Sequence, residues 1–154
     1  MDIINNIVWY FGPVNSVIDK DTNEIITEEQ LKTIVFDDSV NENVKICFPL
    51  NDDYDFTEIR EIQRPVTVEK LLQFIKDFYD EPLKEENLDK IFKNKEDKEY
   101  FLYEWHDCSD GDISWLKQFD VFDDTCTPDF CGIRLVDDDD DENKGSYFVD
   151  IGPI

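Results

Sequence analysis

Over the first fifty residues the apolar positions fall in short clusters separated by Asn, Asp, Gly and Pro. The clusters are "NIVWYFG" (6–12), "SVI" (16–18), "EIIT" (24–27), "TIVFD" (33–37) and "VKICFPL" (44–50). Short runs rich in β-branched and aromatic residues, bounded by turn formers, predict strands. "EEQLKT" (28–33) also fits a single helical turn, and "NDDYDFTE" (51–58) reads as a polar loop. The period then changes. In "RPVTVEKLLQFIKDFYDEP" (64–82) Val68, Leu71, Leu72, Ile75, Phe78 and Tyr79 recur at helical spacing, with Lys70, Lys76 and Asp77 on the opposite face. Thr67 stands where an N-cap hydroxyl can accept from the first unpaired amides, and Pro82 stops the helix. A shorter helix with Leu88, Ile91 and Phe92 as its stripe is expected in "KEENLDKIFKN" (84–94). Strand patterns return in "EYFLYEWHD" (99–107, with Phe101, Tyr103 and Trp105 on one face), "SWLKQFDVF" (114–122), "FCGIRLV" (130–136) and "SYFVDIG" (146–152), with a turn at "DGD" (110–112).

The expected architecture is therefore one α+β domain over 1–154. A strand-rich part (1–50), a helical hairpin (66–94) and a second strand-rich part (99–154) follow one another. Segregated elements of this kind imply a mainly antiparallel sheet with one helical hairpin packed on it. No internal repeat is evident.

Charge alters the picture most. Thirty-nine acids against 15 bases give −24 over 154 residues. Residues 1–59 carry −10, residues 60–98 carry −1 and residues 99–154 carry −13. Binding nucleic acid or an anionic membrane surface requires clustered Lys and Arg, so both are poor direct partners. Basic proteins, or cations, are the natural ones. No stretch has signal-peptide form or approaches the roughly 18 apolar residues of a membrane span. An intracellular location, cytoplasmic or nuclear, is expected, with the four cysteines as thiols or metal ligands.

Candidate chemistry is sparse. Residues 19–30 place Asp19, Asp21 and Asn23 at positions 1, 3 and 5 of a calcium loop, and Ile26 at position 8. Glu24 stands where Gly makes the turn, Gln30 where a bidentate Glu closes the site, and Gly12 and Pro13 break the incoming helix. A hairpin loop between "SVI" and "EIIT" is the reading adopted. His106, Cys108, Cys126 and Cys131 are residue types that suit zinc, at a spacing that is not a standard knuckle. They form the alternative, a metal-binding protein, together with weak calcium binding at acidic loops. Sequences of the G-x-S-x-G, Gly-rich phosphate-loop and H-E-x-x-H types do not occur. The adjacent carboxylates at Asp37–Asp38, Asp52–Asp53 and Asp123–Asp124 are what so acidic a chain contains by chance. The chain is thus read as non-catalytic and without a cofactor. Its expected contact residues are the run Asp137, Asp138, Asp139, Asp140, Asp141 and Glu142, supported by Asp120, Asp123 and Asp124. Trp115 and Tyr147 are read as core residues with a second use as interface anchors.

The stretch "RPVTVEKLLQFIKDFYDEPLKEENL", followed by "CGIRLVDDDDDENKGSYFVDIGPI", resembles small uncharacterised proteins encoded by mimivirus-like giant DNA viruses. The matching positions are Thr67–Val68, Leu71–Leu72, Phe78–Tyr79 and Gly152, within roughly residues 64–92 and 130–154. The acidic run and the first 60 residues fall outside the likeness. It implies a helix, a short second helix and a β-hairpin ending in Gly, and a protein of infected-cell cytoplasm or of the virion. It carries over no catalytic residue. The alanine-free composition agrees with an AT-rich viral genome.

Overall fold

The computed structural model describes residues 2–51, 54–105, 113–122, 128–139 and 141–152. It is an α+β structure in which antiparallel pairing dominates. The principal sheet has the order β5 (Thr57–Ile62), β4 (Val44–Pro49), β8 (Tyr147–Gly152), β7 (Asp129–Leu135). Two antiparallel hairpins, β4–β5 and β7–β8, are joined by a short parallel pairing of Ile46 with Tyr147 and Cys47 with Phe148. Two small antiparallel ribbons accompany it: β1 (Ile7–Val8) with β2 (Ile18–Asp19), and β3 (Ile34–Phe36) with β6 (Val66–Thr67).

Period-2 alternation gives the principal sheet two faces. Val44, Ile46, Phe48, Ile62, Ile133, Val149 and Ile151 enter the main apolar cluster, and α2 (Val68–Asp80) contributes all of its predicted stripe to that cluster. Phe78 stacks on Phe48 with ring centroids 4.0 Å apart. Thr67 caps α2 as the sequence predicts, its hydroxyl accepting from the Lys70 amide at 3.2 Å. At the other end Tyr79, fully buried, donates to the Pro49 carbonyl at 2.9 Å. Arg60 on β5 holds the last turn of α2 by donating twice to Glu81, at 2.9 Å each, with its guanidinium 5.1 Å from the Phe78 ring.

Several elements differ from the sequence-based expectation. "EIIT" keeps only a single bridge, Ile18 with Ile25, and the helical turn at "EEQL" is α1 (Glu28–Leu31), closed by a reciprocal capping box between Thr27 and Gln30. The polar stretch after residue 50 leads into β5, whose alternation of Glu and Arg with Ile conceals a strand half-exposed at the sheet edge. The second helical arm is divided into a 3-10 turn (Glu85–Asn87), α3 (Leu88–Ile91) and α4 (Lys95–Glu99). The expected strand over 99–107 is replaced, through Trp105, by helical backbone: α4 continues as a π-helical stretch, Tyr100–Trp105. The reason is the adjacent pair Phe101–Leu102. Both are buried, and neighbouring residues share a buried side on a helix but not on a strand. The segment 114–122 likewise contains a 3-10 turn, Gln118–Val121, and not a strand. Gln118 is buried against the end of α2, donating from its side chain to the Phe78 carbonyl at 2.6 Å and from its amide to the Glu81 carbonyl at 2.9 Å.

Candidate functional site

The acidic run connects β7 to β8. Leu135 faces Tyr147 as the last pair of the ladder, and bonds from the Val136 amide to Ser146 (2.9 Å) and from the Gly145 amide to Val136 (2.8 Å) close the loop. Gly145 has φ +88°, a left-handed conformation that a side chain would strain. Inside the loop the Asp141 carboxylate accepts from the Asn143 amide at 2.8 Å, and the buried Ser146 hydroxyl donates to the Asn143 carbonyl at 2.5 Å. The frame is satisfied by its own backbone, so the carboxylates point outward. Asp137, Asp138, Asp139, Asp141 and Glu142 are all exposed, and Lys144 pairs with Asp139. Asp140 lies outside the described residues.

The loop continues from the strand ends beside the sheet face that lies away from α2. There Cys47, Val136 and Phe148 form a small separate buried cluster. The Arg134 guanidinium lies 4.6 Å from the Phe148 ring centre and bonds Asp150 at 3.2 Å, while Tyr54 meets the same ring edge-on at 5.7 Å. Burial pushes the Cys47 thiol up, and the nearby charges of Asp141 and Glu142 add to that rise.

Asp120 is not part of this surface. Its carboxylate accepts from the Lys117 amide at 2.7 Å, within the 3-10 turn attached to the C-terminal end of α2. That end of α2 reaches Pro49, where β4 finishes, whereas the acidic loop enters beside Ile46, near where β4 begins. Asp120 and the described carboxylates of the loop therefore sit toward opposite ends of β4. Asp123 and Asp124 lie outside the described residues. Tyr147 packs on Phe36 at 4.8 Å, as a core reading requires, but Trp115 is 55% exposed.

The residues of the suspected calcium loop form a hairpin turn. The Asn23 amide donates to the Asp19 carbonyl (2.8 Å), the Asp19 amide to the Glu24 carbonyl (2.9 Å), and Asn23 takes φ +57°. The Asp19 carboxylate is occupied by the Asp21 amide at 2.8 Å and the Gln30 side-chain amide at 3.1 Å, and these two bonds hold it below the usual carboxylate range. Gln30, at the position where a calcium loop needs a carboxylate, is a donor to the residue at position 1. Of the zinc set, His106, Cys108 and Cys126 lie outside the described residues. Cys131 is exposed on β7, and partial desolvation and the Asp129 carboxylate push its thiol up. Among the described residues no group of three or more His, Cys, Asp or Glu side chains is arranged to hold a metal ion.

Reading 99–107 as a strand hid one surface. The helical backbone turns Tyr100, Tyr103 and Glu104 outward together, where alternation would have sent Tyr103 and Glu104 to opposite sides. The adjacent Phe101–Leu102 pair was the signal for it.

No family model, curated protein or solved structure matches this chain. Function therefore rests on geometry and charge alone. No helix among the described residues is long and apolar enough to cross a membrane.

Proposed function

We propose that this chain is a non-catalytic acidic interaction module whose partner is a basic protein. The observation that carries the proposal is the β7–β8 loop. Its backbone bonds itself, and five described carboxylates, at 137–139 and 141–142, face water with Lys144 as the one cation inside the loop. A chain of −24 that gathers acids on a braced loop attracts a cationic surface at long range and repels polyanions. In its furthest form the module is a nucleic-acid mimic, with carboxylates occupying the positions of phosphates on a nucleic-acid-binding protein. The resemblance to giant-virus proteins would make that partner a host or viral basic protein.

Such binding is screened by salt, because exposed charges separated by more than about 8 Å interact weakly at physiological ionic strength. Immobilised chain should capture basic proteins from lysate in low salt and release them between roughly 50 and 500 mM salt. A variant with Asp137 to Asp141 changed to Asn and Glu142 to Gln should capture markedly less. Capture that is indifferent to both salt and the six substitutions would sink the proposal.

A further inference from the structure

A second surface is built differently from the hairpin loop. α4 is started by Asn94, whose side chain accepts from the Asp97 amide and donates to the Asp97 carboxylate, each at 2.8 Å. The chain then widens into the π-helical stretch. Phe101 and Leu102 are buried there, with Phe101 4.8 Å from Phe92, which fixes the rotation of the whole segment. That rotation leaves Tyr100 53% exposed and Tyr103 48% exposed. The two rings line a recess of about 460 Å³ whose other walls are Glu96, Asp97, Glu99 and Glu104.

The composition of this recess selects its occupant. The face of an aromatic ring is electrically negative and attracts a cation lying over it. The carboxylates around the rings add attraction of the same sign, and the lining contains no Lys or Arg. Two lysines flank it: Lys98 bonds Asp89 at 2.9 Å, and Lys95, 86% exposed, reaches Glu99 of the recess wall at 3.6 Å. An anion is repelled from such a site. A neutral apolar group would desolvate carboxylates without compensating them. A Lys or Arg side chain meets both demands, with its methylenes along the rings and its charged head among the carboxylates.

We propose that this recess receives a lysine or arginine side chain of a basic protein. It rests on the reading of the chain as an acidic interaction module and gives that module a position where a single cationic residue is seated, in addition to the loop that attracts many.

The test uses the full chain and a fluorescein-labelled decapeptide of alternating Lys and Arg, followed by anisotropy at about 50 mM salt, where exposed charges are weakly screened. Replacing both rings, Tyr100→Ala with Tyr103→Ala, should weaken binding about 10-fold, while Tyr100→Phe with Tyr103→Phe, which keeps both ring faces, should stay within about 2-fold of wild type. Ring-proton resonances of Tyr100 and Tyr103 should shift as peptide is added. If the alanine pair does not fold by circular dichroism, Glu96→Gln with Glu104→Gln carries the test, with an expected loss of several-fold. Unchanged binding by the alanine pair, with loss in the loop variant, would overturn the recess and leave the interaction module standing. An equal loss in the Phe and Ala pairs would place the contact on the hydroxyls and overturn it as well. Failure of the wild-type chain to bind the peptide at low salt would remove both proposals together.

Discussion

Asn51 shows how much a single polar side chain can organise. It is 3% exposed at the end of β4, and its carbonyl oxygen accepts from the amides of Asp55 (3.1 Å) and Phe56 (3.4 Å) while its amide donates to the Asp55 carboxylate at 2.5 Å. Lys93 pairs with the same carboxylate. These bonds turn the chain from β4 into β5 and so set the register of the edge strand. Asn51→Ala should cost ~1–3 kcal/mol, because it strands two partly buried amides. Chemical denaturation measures the loss, and a variant as stable as wild type would show that the loop closes without this side chain. Gly132 is a comparable case of local demand. It takes φ +115° at a bulge in β7, and a Cβ there would stand 2.3 Å from the Asn5 side-chain oxygen that accepts from the Ile133 amide.

Among the elements, α2 was the most legible from sequence. The six apolar positions of its predicted stripe are all buried and its cap is the residue that the pattern names. Thr67→Ala should destabilise the protein by ~1 kcal/mol and Thr67→Ser should restore most of it. Thermal melts of the two variants decide this, and equal loss in both would mean that the methyl, and not the hydroxyl, matters. The β7–β8 hairpin was also legible, since its arms carry β-branched and aromatic residues on either side of an unmistakably polar loop. β5 was not. Glu58, Arg60 and Glu61 look like loop residues until Arg60 is seen reaching over Phe78 to Glu81, a contact made by the fold and not by local sequence. The strand expected at 99–107 failed for the opposite reason. Its alternation of aromatics imitates a strand, while tertiary burial of Phe101 and Leu102 through Trp105's helical stretch decides otherwise. The acidic run does connect two strands, but Asp120 was expected to support it on the premise that residues 114–122 form a strand, and the 3-10 turn removes that premise.

For the molecule as a whole, −24 is the dominant quantity. Self-repulsion opposes compaction, and either counter-ions or protons relieve it. A second effect acts against acid. Asp19 is held below the usual range by the Asp21 amide and Gln30, Asp37 by the Ser39 hydroxyl and amide, and Asp55 by Lys93 and Asn51. A depressed carboxyl contributes stability that is fully present above its unfolded value, about 3.9, and that is lost as pH falls through the lower folded value. The melting temperature at pH 7 should therefore rise from low salt to about 0.5 M salt, and at fixed salt it should fall steeply below about pH 4. Scanning calorimetry across pH and salt measures it. A melting temperature independent of salt at pH 7 would show that the acids are too dispersed to repel one another.

The parallel seam between β4 and β8 has a temporal consequence. Every other pairing in the principal sheet joins neighbours along the chain, but Ile46 meets Tyr147 only after the intervening helices have been traversed. Local hairpins form quickly, whereas a contact so distant in sequence must first close a long loop, so the seam should be the slow step of assembly. Until it closes, β4 shows an unpaired backbone edge, and half-made chains should associate through it. The same abundance of negative charge that tunes the finished protein then has an earlier use, keeping nascent copies apart while that edge waits for its partner.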